Sequence, residues 1–196
     1  MSAGFFIGLG GMVFLALGPE LKLIGALLFS FGLMQVLMNN KKLVTGMAGY
    51  VRVWEEFGLM LIVALLNIIG AYAAGVFFHY CGSASAIAYA QDLLLNKVTL
   101  PWYTTFLKAF GCGILMYLSV NAFKRNWTWM MCIGVALFIL CGFEHVIADV
   151  FYFAVASPLF FADLWETVAF LAVVLVGNIL GSQFISRLIN DLQILD

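Results

Sequence analysis

Apolar residues run along this chain in long blocks separated by short polar clusters. A helix that crosses a membrane needs about 20 predominantly apolar residues, with a range of roughly 17–25. The first block, residues 2–17, is short but serviceable, and Gly18-Pro19-Glu20 turns the chain after it. Residues 21–38 form the second, closed by Asn39-Asn40-Lys41-Lys42 and followed by Leu43-Val44-Thr45-Gly46-Met47. Residues 57–78 form a third block without a charge. Segment 82–99 is expected as a polar connection, carrying Gln91, Asp92, Asn96 and Lys97. Residues 101–123 make the fourth block, with Lys108 near its start. The fifth, residues 126–143, stops at Glu144-His145 and resumes over 146–161, to the Ser157-Pro158 step. Residues 167–186 make the sixth, ended by Arg187. The pattern predicts an all-α membrane protein of six transmembrane helices, in one domain over residues 1–196.

Composition agrees. The 196 residues are 65% apolar and 10% charged, against roughly 25% charged in a soluble domain. A soluble fold of this size cannot hide so much apolar surface. A net charge of −1 gives no reason to expect a nucleic-acid partner. Cys81, Cys112, Cys132 and Cys141 form no CxxC pair and no metal-ligand spacing, so neither a metal nor another cofactor is expected. Residues 5–17 look like the core of a signal peptide, but no basic residue precedes them and the next block follows at once, which reads as a first transmembrane helix. Lys and Arg near block ends set orientation. Arg52, Lys124, Arg125 and Arg187 against Lys22, Lys97 and Lys108 place both termini in the cytoplasm of a multi-pass inner (plasma) membrane protein.

Two blocks are broken by polar groups, one near Lys42–Gly46 and one at Glu144-His145. Each break is followed by an uncharged block carrying Asn-x-x-Gly, at Asn67–Gly70 and Asn178–Gly181. This is internal symmetry with a period of three spans, and an odd number of spans per repeat makes the repeats inverted. Broken helices at matching positions of inverted repeats point to a substrate path, because irregular backbone at membrane depth is tolerated only where protein buries it or a cavity borders it.

The second break carries the chemistry. Glu144, His145 and Asp149 lie within six residues, after the uncharged run 130–141. An ionisable group at membrane depth costs about 2.5–3.5 kcal/mol on insertion scales and usually faces a bundle interior or a water-filled path. Two readings of the residues stand at this point. One is a transport site centred on His145; the other is a helix end where Glu144 caps backbone donors and His145 packs.

At these breaks the chain resembles the formate/nitrite transporter family. Gly142-Phe143-Glu144-His145 with Ile147-Ala148 is similar to that family's histidine-bearing loop in its fifth helix. Leu43-Val44-Thr45-Gly46 is similar to its Leu-Phe-Thr-Gly loop, and Phe29-Ser30-Phe31-Gly32-Leu33 to the helix half before it. Phe106-Leu107-Lys108 and the two Asn-x-x-Gly segments also match, and Lys97 falls where the family has a basic residue near the path. There are departures: Met47 and Asp149 stand where the family usually has Asn, and so does Gly113, which removes an amide that could orient His145.

The resemblance implies a short member with an aquaporin-like subunit: six transmembrane helices in two inverted three-helix repeats, two of the helices broken. It implies a homopentamer among membrane lipids with a pore in each subunit, and small monovalent anionic substrates such as formate, nitrite, hydrosulfide or lactate. His145, Thr45, Lys97 and Glu144 fall on the substrate pathway. Phe29, Leu33 and Phe138 fall at an apolar constriction on one side of the histidine, and Leu43 and Val44 at the other. Proton linkage through His145 is expected, and no enzymatic activity. The alternatives are a pore for a neutral solute (water, ammonia or urea) and a membrane-embedded metalloenzyme using Glu144, His145 and Asp149, since residues i and i+4 share a helix face.

Overall fold

The computed structural model describes residues 1–157 and 164–192. The described residues form helices and connections only. The helices are α1 (Ser2–Leu17), α2 (Lys22–Met38), α3 (Val44–Met47), α4 (Trp54–Cys81), α5 (Ala84–Val98), α6 (Trp102–Lys124), α7 (Thr128–Leu140), α8 (Val146–Ala156) and α9 (Leu164–Leu192), with 3-10 turns at Pro19–Leu21 and Ala48–Tyr50. Among the described residues, four stretches are long and apolar enough to cross a membrane: Pro19–Met38, Trp54–Cys81, Trp102–Lys124 and Trp165–Ile189. Helices α1, α7 and α8 are apolar but shorter. The part of the expected fifth run at 158–161 lies outside the described residues.

Helices α2 and α7 end alike. Asn40 (φ 51°) and Gly142 (φ 65°) take the left-handed conformation two residues past the last helical residue. Lys41 N–H donates to Val36 O and Phe143 N–H to Phe138 O, both at 2.9 Å. Asn40 and Gly142 N–H donate to Leu37 O and Ile139 O at 3.1 Å. This pairing satisfies the last carbonyls of a helix and stops it. The chain then runs extended through Leu43 and His145, and helix resumes at Val44 and Val146.

The packing partners also correspond. Helix α1 lies on α2 and α4, and α6 lies on α7 and α9. A Cβ on Gly4 of α1 meets the backbone of Asn67 and Ala71 in α4, and one on Gly113 of α6 meets the backbone of Asn178 and Ser182 in α9. This corrects the expected consequence of Gly113: the helices approach so closely that no amide side chain fits there, and glycine is a packing requirement.

A second departure concerns residues 82–99, which fold as helix α5 and are not an irregular connection. Ser83 Oγ caps it, accepting from Ala86 N–H at 3.2 Å. Ala86, Ala90 and Leu94, four residues apart, form a narrow buried stripe toward α8 and α1. Gln91 and Asp92, two of the polar residues that suggested a loop, are exposed. The helix delivers Lys97 to the interior from its last turn.

Candidate functional site

The two breaks meet inside the bundle. His145 is the N-cap of α8, and its Nδ1 accepts from Ala148 N–H at 3.2 Å. A ring nitrogen that accepts from a backbone amide carries no proton, so in the neutral ring the proton is on Nε2. Nε2 lies 2.8 Å from Thr45 Oγ1 on α3, and the tautomer makes His145 the donor in that pair. The Thr45 hydroxyl keeps its own proton for a third group. Both residues are buried. Capping therefore belongs to His145 and not to Glu144, and the imidazole serves the cap and Thr45 together.

Asparagine side chains hold both breaks. Asn67 Oδ1 accepts from Val44 N–H at 2.9 Å, and its Nδ2 donates to Lys42 O at 3.1 Å. Asn178 Oδ1 accepts from Val146 N–H at 3.0 Å, and its Nδ2 donates to Glu144 O and Ala109 O at 2.8 Å. The first N–H groups of a helix have no partner within it, and at both breaks a distant amide supplies one. Sequence reasoning saw these residues only as a repeated Asn-x-x-Gly, which was the available signal for their role.

A cavity of about 150 Å³ approaches His145 from one side. A single water needs roughly 10–15 Å³ of such space. Lys22, Lys97, Lys108, Phe138, Glu144, His145 and Asp149 are among its walls. Lys97 Nζ donates to Glu144 Oε2 and lies 3.0 Å from Asp149 Oδ1. The pairing of Lys97 with both acids was not anticipated. Among the described residues no three His, Cys, Asp or Glu side chains converge as metal ligands. The two carboxylates turn to Lys97 instead.

A second cavity, about 210 Å³, opens on the opposite side and is lined by Leu33, Leu43, Lys41, Lys42, Tyr50 and Lys124, among others. Lys124 Nζ sits 3.4 Å from the Tyr50 ring centre, a cation–π contact absent from the sequence reading. Phe138 stacks on His145 with ring centres 5.6 Å apart, and Phe29 meets Phe138 edge-on at 5.8 Å. Grouping Leu33 with Phe29 and Phe138 needs correction. Phe138 lines the first cavity, whereas Leu33 lines the second beside Leu43. Leu33 lies four residues beyond Phe29, about 6 Å further along α2, which carries it past the histidine. Val44 is fully buried and borders neither cavity.

A family model described as formate/nitrite transporter matches residues 1–190. "Uncharacterized transporter YrhG" of Bacillus subtilis (strain 168) is 27% identical over 210 residues, covering 91% of this chain and 77% of that protein. "Formate channel FocA" of Haemophilus influenzae is 23% identical over 148 residues, covering 66% of this chain and 52% of that one, about half its length. Among solved structures, an "FNT family ion channel" superposes with a TM-score of 0.78, covering 99% of this chain and 86% of that one at 21% identity. A "Pentameric formate channel with formate bound" gives 0.77, with 99% and 92% covered, also at 21% identity. At this identity the likeness is one of fold. These relatives are transporters and channels, not enzymes.

Proposed function

The chain belongs to the formate/nitrite transporter family, and from that membership we propose that it is a transmembrane channel for small monovalent weak-acid anions, formate first, with nitrite and hydrosulfide in the same class. The observation that carries the reading is the buried His145–Thr45 hydrogen bond between two lysine-lined cavities. Lysines gather an anion at either mouth. The Thr45 hydroxyl, its oxygen held by His145 Nε2–H, is the donor free for an acceptor oxygen between the two cavities. Phe29, Phe138, Leu33, Leu43 and Val44 keep the surroundings apolar.

Energy favours a proton-linked passage. Burying a bare carboxylate costs tens of kcal/mol in the Born limit. Protonating an acid costs about 1.4 kcal/mol per pH unit above its pKa, roughly 4 kcal/mol at pH 7 for a carboxylic acid of pKa near 4. The neutral acid is the cheaper species at the constriction, and the proton is exchanged at the cluster around His145. In proteoliposomes, formate uptake above that of protein-free vesicles is expected to rise steeply as pH falls. A panel of formate, nitrite, hydrosulfide, lactate and urea tests this. Equal passage of urea, or flux independent of pH, replaces the reading with a neutral-solute pore.

The same reading makes residues 1–196 one channel domain of six spans in two inverted repeats. The supports are the matched terminations of α2 and α7, the matched asparagine contacts, and the matched glycines of α1 and α6. The subunit then forms a homopentamer in the plasma membrane with both termini cytoplasmic. Native mass in mild detergent is expected near five times 21.6 kDa, with reporters fused to either end facing the cytoplasm. A monomer that still transports, or an external C-terminus, refutes this arrangement.

A further inference from the structure

The buried cluster on the wall of the first cavity holds more carboxylate than its one lysine can neutralise; Lys22 and Lys108 on the same wall are exposed and half-buried, respectively, and pair with neither acid. Lys97, Glu144 and Asp149 sum to −1 when all are ionised, and both acids are buried. A buried uncompensated charge costs several kcal/mol after relaxation. The cluster therefore has room for one proton. Geometry selects its position. Glu144 Oε2 is hydrogen-bonded to Lys97. Neither oxygen of Asp149 has a hydrogen-bond partner among the described residues, although Oδ1 lies 3.0 Å from Nζ. His145 is not the acceptor, since a proton on Nδ1 would face the Ala148 N–H and break the cap of α8. The remaining groups around Asp149 are Cys112 from α6 and Tyr152 from α8, with Lys22 from α2 and Lys108 from α6 on the cavity wall.

We propose that Asp149 is the proton-loading residue of this channel, handing its proton to the incoming anion so that the neutral acid meets His145. This rests on the weak-acid transport reading above. In the step, the Oδ–H bond of Asp149 breaks and an O–H bond forms on the carboxylate substrate. Hydronium in the cavity water then restores the proton to Asp149 from the same side. Anion and proton cross together, and the cycle moves no net charge. With Asp149 protonated, Lys97 and Glu144 cancel, and Lys22 and Lys108 are left to attract the anion. Once Asp149 is ionised, the cluster repels a second anion.

Proteoliposomes carrying a lumenal pH dye, under an imposed potassium diffusion potential and a formate gradient, test this. Wild type is expected to move one proton per formate and to ignore the potential. D149N keeps the shape of the side chain but cannot carry a proton. Asn is the residue usual at this position in the family, so the variant is expected to keep an open pore and pass formate, but with fewer than one proton moved per formate, a flattened pH profile and uptake that responds to the potential. D149E is expected to restore coupling. Voltage-driven uptake by wild type overturns the proposal without any variant. Unchanged proton coupling and pH profile in a correctly assembled D149N do so as well. A wild type that passes nitrite, formate and hydrosulfide no faster than protein-free vesicles overturns the transport reading itself, and this inference with it.

Discussion

His145→Phe is expected to abolish formate uptake while the oligomer still forms. The variant removes the Nε2 donor aimed at Thr45 and fills its space with an apolar ring against Phe138. Moving a polar solute past that point without a compensating hydrogen bond costs roughly 2–7 kcal/mol. At about 1.36 kcal/mol per decade of rate, the loss is about 30-fold at least and reaches roughly 10⁵-fold. The cost in stability is much smaller. Losing the cap of α8 costs about 0.5–2 kcal/mol, partly offset because a buried polar ring is replaced by an apolar one. His145→Asn separates the two roles. Asn is among the best N-cap residues, so its Oδ1 can take over from Nδ1, but its shorter side chain does not reach Thr45 in the same way. Its flux should fall less than that of His145→Phe. Uptake at several pH values and native mass are the measurements. If both variants transport like the parent, His145 is a packing residue and the mechanism fails, even with the family assignment intact.

Asn178→Leu should be the most destabilising single change at either break. The side chain is completely buried and makes three hydrogen bonds to backbone groups, two at the break (Val146 N–H and Glu144 O) and one on α6 (Ala109 O). Leucine has the same branched shape and the same number of side-chain heavy atoms, so the loss is polar and leaves no cavity. An unsatisfied buried group costs about 1–3 kcal/mol, and three together roughly 3–9 kcal/mol, comparable to the 5–15 kcal/mol stability of a typical domain. Asn67→Leu breaks two such bonds and should cost less. The expected order of thermal midpoints in detergent is wild type, then Asn67→Leu, then Asn178→Leu, with the last failing to give a monodisperse oligomer. Hydrogen bonds measured within membranes average only about 0.6 kcal/mol. If that smaller figure governs here, both variants will assemble, and the asparagines do not hold the breaks.

The all-helical fold and the four apolar spans found among the described residues were legible because long apolar runs need no partner to be recognised: a helix must span the hydrocarbon, and the required length follows from its rise per residue. Both polar breaks were visible for the same reason, as interruptions at a depth where interruption is costly. Helix α5 was not legible. Its buried stripe of Ala86, Ala90 and Leu94 is narrow, and Gln91, Asp92, Asn96 and Lys97 lower its hydropathy to that of a loop.

Read alone, the chain reveals that it lies in a membrane, where two of its apolar runs are interrupted, and which ionisable groups are stranded among apolar ones. Those properties are set by residues close together along the chain. Only the tertiary structure decided what the stranded groups do. The partner of His145 Nε2 is Thr45, 100 residues away, and the partner of Glu144 is Lys97, 47 residues away. The anchors of Val44 and Val146 are Asn67 and Asn178, 23 and 32 residues on. Leu33 lines the other cavity from Phe138 because it stands four residues further along α2 than Phe29. Hydropathy reports the solvent a segment prefers; hydrogen bonds and charge pairs need two groups at a definite distance, and packing sets that distance.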